Sequence, residues 1–509
     1  MKNLQNAALR FLGLTLTLTV LFGVFSCRVT PVDAPQFDTD MIALNDNNTL
    51  LKFNAGDPSV IKNRVTLKGL GATEKILAID FRPATGQLYG VSSDSKIYTI
   101  QPDSGTVRAI GTAAFAPAIN GTIVSLDFNP TVDRIRLVTN LGQNLRLHPE
   151  TGATAATDLV MNPGTPAISE VAYTNSAAGV TMTTLYDIDV TTDKLYIQTP
   201  PNNGTLVEVG DLGVNAEGAA GFDITDNNLA YAVLKVGGKS RLYVVNLSSG
   251  RVLNVGNSDF GTDNIIGLAI PTNPVAYAID GTSNLLIFNP FDPRPTPISK
   301  PITGLQTGET LLGLDMRPAN GQLYALGSTS RLYTLNAASG AATAVGTAAF
   351  TPALSGTAFG FDFNPTVDRI RIVSNTGQNL RAHPETGLIA AVDSTINPMG
   401  SAVTAAAYTN NFAGATTTTL YVLDAVNKRL AIQSPPNNGT LTPVGSPIPQ
   451  IFAGENGFDI TSKSNRAFVL VNNEGTVKLF NLNLTTAALT NGITFPNTMV
   501  NGFTLGFGY

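Results

Sequence analysis

The stretch from Leu126 to Gly152, LDFNPTVDRIRLVTNLGQNLRLHPETG, returns from Phe361 to Gly387 as FDFNPTVDRIRIVSNTGQNLRAHPETG, 235 positions later. The chain has only two histidines, His148 and His383, and they occupy the same place in the two copies. A shared run of this length means tandem duplication. Whatever fold forms must therefore be specified twice over, and each half must bury its own core.

Within each half the signals are those of strands. Short β-branched and aromatic runs are punctuated by glycine (48 residues) and proline (30 residues), and no long amphipathic helix is apparent. The first half divides into five units. One begins at Met41 and carries Thr49 to Phe53. The second runs from Ile76 to Ile110 through the turn Pro102-Asp-Ser-Gly105. The third is the repeated stretch itself, turning at Pro149-Glu-Thr-Gly152. The fourth spans Thr184 to Val209 with the turn Pro200-Pro-Asn-Asn-Gly204, and the fifth Gly221 to Val255. Glycine at the end of such turns supplies the positive φ that they require. Four short antiparallel strands in each 40–50 residue unit predict β-propeller blades.

Ring closure is read from the ends of each half. Ile265 to Ile270 has the character of an innermost strand, yet the unit at Met41 lacks one. Val500 to Leu505 stands in the same relation to the short unit at Ala276. The last strand of each half then completes its first blade and hides the sheet edges. The expectation is an all-β chain of two tandem five-bladed β-propeller-like domains, 41–271 and 274–509. The alternative is one ten-bladed ring in which Val500 to Leu505 pairs with the unit at Met41.

The first residues read as an export signal, 1–26. Lys2 and Arg10 precede an apolar run from Phe11 to Phe25 that is too short for a bilayer span of about 20 residues. The run ends in Val24-Phe25-Ser26-Cys27, and Cys27 is the only cysteine. This is similar to a bacterial lipobox, in which the cysteine becomes the lipidated first residue. The polar, proline-bearing stretch 27–40 then serves as a lipid-anchored tether. The mature chain would hold no disulfide. With 13% charged residues, a net charge of −5 and no basic cluster, nucleic acid is not an expected partner.

Two sets of residues carry chemistry. Asp80, Asp127 and Asp223, matched by Asp315, Asp362 and Asp459, recur in the innermost strands. As channel carboxylates they could hold a hard cation such as Ca²⁺; as structural acceptors they would take backbone N–H groups at the following turn. Arg134, Arg136, Arg146 and His148 alternate on two neighbouring strands, near Asp127, Asp133 and Glu150, and return as Arg369, Arg371, Arg381 and His383. Such a module either staples strands through charge-assisted hydrogen bonds or recognises an anion. No HExxH, P-loop, GxGxxG or nucleophilic cysteine is present, so no catalytic residue is assigned.

The repeated stretch, together with LYIQTPPNNGTLVEVGDLG (Leu195 to Gly213), LAIQSPPNNGTLTPVG (Leu430 to Gly445) and the two GFDI segments, resembles the bacterial family labelled domain of unknown function 4394. The resemblance implies an exported, repeat-built protein and transfers no activity. The expected function is a cell-envelope lipoprotein, with the outer membrane as its expected location, that acts as a non-catalytic binding scaffold for an unknown protein or glycan and needs no cofactor. The alternative is a divalent-metal-dependent hydrolase of envelope or extracellular carbohydrate. It requires at least three aspartates to converge within reach of one metal.

Overall fold

The computed structural model describes residues 38–293, 296–450, 456–473, 475–495 and 500–508. The signal, Cys27 and most of the tether lie outside them. The described residues form ten four-stranded antiparallel sheets. The only helical elements among them are two one-turn 3₁₀ segments, Pro201–Asn203 and Pro436–Asn438. No described helix is long and apolar enough to cross a membrane.

Strand order decides the closure. Ile265–Ala269 pairs with Asp40–Asn45, through Ile42↔Ala269 and Ala43↔Leu268. Val500–Leu505 pairs with Ala276–Asp280, through Ala276↔Leu505 and Tyr277↔Thr504. Each half thus closes on itself. In the first ring the innermost strands touch in cyclic order: Ile76–Arg82, Val124–Asn129, Glu170–Tyr173, Gly218–Ile224 and Ile265–Ala269. In the second the order is Leu311–Met316, Phe359–Asn364, Val403–Tyr408, Asn456–Ile460 and Val500–Leu505. These pairings correct the ten-bladed alternative, because the strand it needs to bridge the two halves is already used within the second.

Alternation along the strands builds the cores between blades. Ile135, Leu137, Leu145 and Leu147 are fully buried with Tyr89 and Val91 of the preceding blade. Tyr89 meets Phe128 edge-on at 5.1 Å, and Tyr324 meets Phe363 at 5.1 Å in the second ring. The glycine of the first GFDI segment shows how tightly the inner strands approach. Gly221 has φ +140°, and a Cβ there would stand 2.3 Å from the backbone nitrogen of Leu268 on the closing strand. Any side chain would push the ring open.

The two rings form one compact unit, residues 38–509. The loop Ala84–Gly86 of the first ring enters the core of the second. Ala84 packs with Tyr277, Met316 and Phe507, its carbonyl accepts a hydrogen bond from the Tyr277 hydroxyl (2.8 Å), and the Thr85 carbonyl accepts one from Phe507 N (2.7 Å). Asn320 returns a hydrogen bond to the Glu150 carbonyl (3.2 Å).

Candidate functional site

Six aspartates at the same depth of six innermost strands gather into two groups. Asp80, Asp127 and Asp223 bring carboxylate oxygens within 4.8 Å of one another in the first ring, and Asp315, Asp362 and Asp459 do so in the second. All six are buried, at 4% exposure or less. Such proximity meets the sequence-based requirement for three aspartates converging on one point.

Each nevertheless already accepts from the backbone, and the donors are mostly on the next blade. Asp80 accepts from Phe81 N (2.7 Å) and from Phe128 N (2.9 Å) on the following innermost strand. Asp127 accepts from Tyr173 N (3.1 Å), one blade further. Asp223 accepts from Ile224 N and from Ile270 N, both at 2.6 Å, the latter at the end of the closing strand. The second ring repeats this through Phe363 N to Asp315 (2.7 Å), Tyr408 N to Asp362 (3.0 Å) and Leu505 N to Asp459 (2.7 Å). The structural reading is thus corrected in one respect. The acceptors stitch blade to blade rather than serving the turn that follows them.

Burial pushes all six carboxyls toward the neutral form, and repulsion from a neighbouring carboxylate adds to it in four. Asp80 lies well above the ordinary carboxylate range through desolvation and then the charge of Asp223. Asp127, Asp315 and Asp362 are raised in the same way. Desolvation raises Asp223 and Asp459 to about 7, against which their backbone donors work. No cation acts on any of the six among the described residues, so the metal-free rings are favoured when their carboxyls retain protons.

The channels differ at a few positions. Ring closure presents Ala269 in the first ring and Thr504 in the second. Glu170 is buried in the first channel, desolvation raises it to about 8, and the Ser125 hydroxyl lies 3.2 Å away. Ala405 and Gly360 replace that pair in the second ring. Between Gly313, Phe361, Ala406, Gly457 and Phe503 the second channel leaves about 20 Å³, room for about one water.

The arginine module separates into two networks. Arg136, 1% exposed, donates to Asn144 Oδ1 (2.7 Å), Asp158 Oδ2 (2.6 Å), Asn202 Oδ1 (2.8 Å) and the Tyr173 hydroxyl (3.2 Å). Arg146 grips the same Asp158 with two hydrogen bonds of 2.8 and 2.9 Å. Asp133 and Glu150, expected beside these arginines, belong instead to Arg82, which binds Asp133 through Nε at 2.8 Å and also pairs with Glu150. Arg134 turns back to the Asp133 carbonyl (2.8 Å), and His148 makes its hydrogen bonds through its backbone. The expected convergence of four cations on one face is therefore corrected. Arg136 and Arg146 share an acid, and Arg134 and His148 stand outside the network.

The second ring repeats the arrangement. Arg371 and Arg381 share Asp393, with Arg371 on Asn379, Asn437 and Tyr408, while Arg317 holds Asp368 and Glu385. Arg369 donates to the Asp368 carbonyl (2.8 Å), and His383 Nδ1 accepts from Glu385 N (3.2 Å). Arg82, Asp158 and Asn202 went unread in the sequence, although each has an identical counterpart (Arg317, Asp393, Asn437) in the second copy.

A cleft of about 740 Å³ opens between the rings, lined on one side by Thr112, Glu150 and Thr151 and on the other by Arg317, Asn320 and Glu385. Glu150 is 12% exposed at its side chain but its counterpart Glu385 is 59% exposed. The same ion pair is sealed in one ring and open to the cleft in the other.

Fold and site define a tandem pair of closed five-bladed propellers with acid-bearing, backbone-satisfied channels. The profile of the family described as domain of unknown function (DUF4394) matches residues 49–269 and 284–504, and the chain belongs to that family, carrying its domain twice. Among curated proteins none matches the sequence. Solved structures similar to it include the extracellular domain of a candidate one-component system from B. thetaiotaomicron, at 13% identity and TM-score 0.25. That likeness covers 90% of this chain and 65% of the other, so the chain spans less than two thirds of that relative. A protein from Lactobacillus plantarum is similar at 12% identity and TM-score 0.28, over 66% of this chain and 98% of its own. At these scores the likenesses assign no activity.

Proposed function

We propose that the chain is an exported, lipid-anchored scaffold of the cell envelope that binds a protein or glycan without catalysis. The observation that carries this reading is the state of the channel aspartates. They are buried, raised toward neutrality and each engaged by N–H donors of neighbouring blades, which suits closure of a rigid ring and leaves little for acid–base work. Rigid propellers present recognition at loops and recesses. The inter-ring cleft falls within the range of about 300–1,000 Å³ common for ligand sites, and its open Glu385, Asn320 and Thr112 offer the polar contacts that a glycan takes. Anchoring rests on Cys27, through the lipid that its lipobox-like setting implies.

A second reading is favoured by Ala269. Where the second ring puts a hydroxyl against its carboxyls, the first has a methyl group, leaving Asp80, Asp127 and Asp223 as the pair of triads' better seat for Ca²⁺. There Asp127 contributes one oxygen that accepts no described hydrogen bond.

The test is a glycan array and envelope-fraction screen with the full chain, run in EDTA and in Ca²⁺, beside Glu385→Ala. We expect binding that Glu385→Ala weakens at least tenfold and no cleavage of the bound glycan. Binding and melting temperature that rise with Ca²⁺, and lose that rise in Ala269→Thr, support the second reading. Turnover of a glycan that requires a divalent metal would replace the scaffold with the hydrolase.

A further inference from the structure

The hydroxyl of Thr504 has more partners than its single proton can serve. Thr504 Oγ1 lies 2.9 Å from Asp315 Oδ1, 3.0 Å from Asp459 Oδ2 and 3.2 Å from Met316 N. A hydroxyl donates once and accepts up to twice. Met316 N–H fills one acceptor position. Of the two carboxyl contacts one is then donated by Thr504, and the other must be donated to it, by a carboxyl that still carries its proton.

The surrounding donors say which. Asp459 accepts from Ile460 N (2.6 Å) on Oδ1 and from Leu505 N (2.7 Å) on Oδ2, the pattern of an anionic acceptor. Asp315 accepts from Phe363 N (2.7 Å) on Oδ2 and has only a share in the Met316 N–H, which also reaches Thr504, so it is the less well-held anion of the two and the one that keeps a proton toward Thr504. Splitting the Thr504 proton between two anions instead would leave Asp315 and Asp459 both charged, buried beside the Asp362 carboxyl with oxygens within 4.8 Å and no cation among the described residues to offset them.

We infer that the second ring keeps one proton between Asp315 and Asp459, relayed by Thr504, and that this proton latches the ring-closing strand Val500–Leu505 to the blades on both sides. The chain runs Asp315 O–H to Thr504 Oγ1, then Thr504 O–H to Asp459 Oδ2. It joins the strand Leu311–Met316, the closing strand and the strand Asn456–Ile460, three neighbours round the channel. The other titratable group facing it is Asp362, on Phe359–Asn364, which acts on the pair as a third carboxyl; Val403–Tyr408 contributes the Tyr408 N–H to Asp362. The first ring has no such relay, because Ala269 stands where Thr504 does. Burial and the neighbouring Asp459 charge hold Asp315 well above the ordinary carboxylate range, in keeping with a retained proton. The latch is released as pH rises through the folded-state titration of the pair, and is complete below it.

The test uses the full chain and two readouts. Infrared difference spectra of wild type against Asp315→Asn, at neutral pH, should contain the C=O band of a protonated carboxyl. Thr504→Val should shift that band toward the free acid and speed amide exchange in 500–505 about tenfold, the loss of roughly one hydrogen bond. Thr504→Ser should restore both, while exchange in 265–269 stays constant in every variant. If Asp315→Asn fails to fold, the valine and serine pair decides alone. An acid band unmoved by Thr504→Val, or exchange in 500–505 equal in wild type and Thr504→Val, overturns the latch.

Discussion

Arg136 and Arg371 each carry a full charge at 2% exposure or less, which a side chain tolerates only when every N–H finds an acceptor. Each finds an acid, two asparagine oxygens and a tyrosine hydroxyl. Asn202 and Asn437 come from the next blade, so these arginines tie one blade to another. Arg136→Ala should therefore destabilise the protein by about 2–4 kcal/mol, below the largest buried-pair losses because Asp158 keeps Arg146. Arg371→Ala should cost a similar amount. Denaturant melts measure it, and shifts below about 0.5 kcal/mol, the range of surface substitutions, would make these arginines recognition residues instead. The alternation of Arg134 and Arg136 with Ile135 and Leu137 was legible in the sequence. Their partners were not, since Asp158 and Asn202 reach the site from the outer strand's end and from another blade. Asp187 was equally hidden. It is buried with both oxygens unpartnered and raised by desolvation, where the second ring has Val422.

At the scale of the element, the closing strands account for the topology. That each half begins one strand short and ends one strand long could be seen directly in Met41, Ile265, Ala276 and Val500, and it gave the two rings. The stitching of the channel could not be seen that way. Which backbone N–H reaches Asp80 depends on how Phe128, 48 residues later, is set against it. A strand's period of two says only that the aspartate faces away from its apolar neighbours. The stitching makes closure cooperative, because Leu505 N and Thr504 both reach Asp459 while Val500–Leu505 pairs with Ala276–Asp280. Deleting 500–509 should leave Ala276–Asp280 as an open edge and Asp459 with Ile460 N but without Leu505 N and Thr504. Limited proteolysis should then cut within 276–495 first and spare 40–269. Equal protection of both halves would show that the closing strand is dispensable.

At the scale of the molecule, duplication supplies an internal control. The stitching aspartates and the arginine networks are the same in both rings. Three differences, Ala269 against Thr504, Glu170 against Ala405 and the exposure of Glu150 against that of Glu385, lie in the channels and at the cleft between the rings. The central claim is that the channel carboxyls are structural acceptors that retain protons in the native rings, and its consequence is proton linkage. Groups whose folded-state pKa is raised contribute stability that is present below their unfolded pKa and lost as pH rises through the folded one. Burial pushes Asp223 and Asp459 up to about 7 and Glu170 up to about 8, so that loss starts where the same carboxyls ionise in the unfolded chain, about pH 4, and for these three is complete by about pH 8. The most direct measurement is the free energy of unfolding of the full chain in metal-free buffer from pH 5 to pH 8. We predict that stability falls as pH rises, by about 1.4 kcal/mol per pH unit for each proton the native rings retain. A stability that is flat or rises over that range would mean that the carboxyls are ionised in the native rings, and would contradict the account.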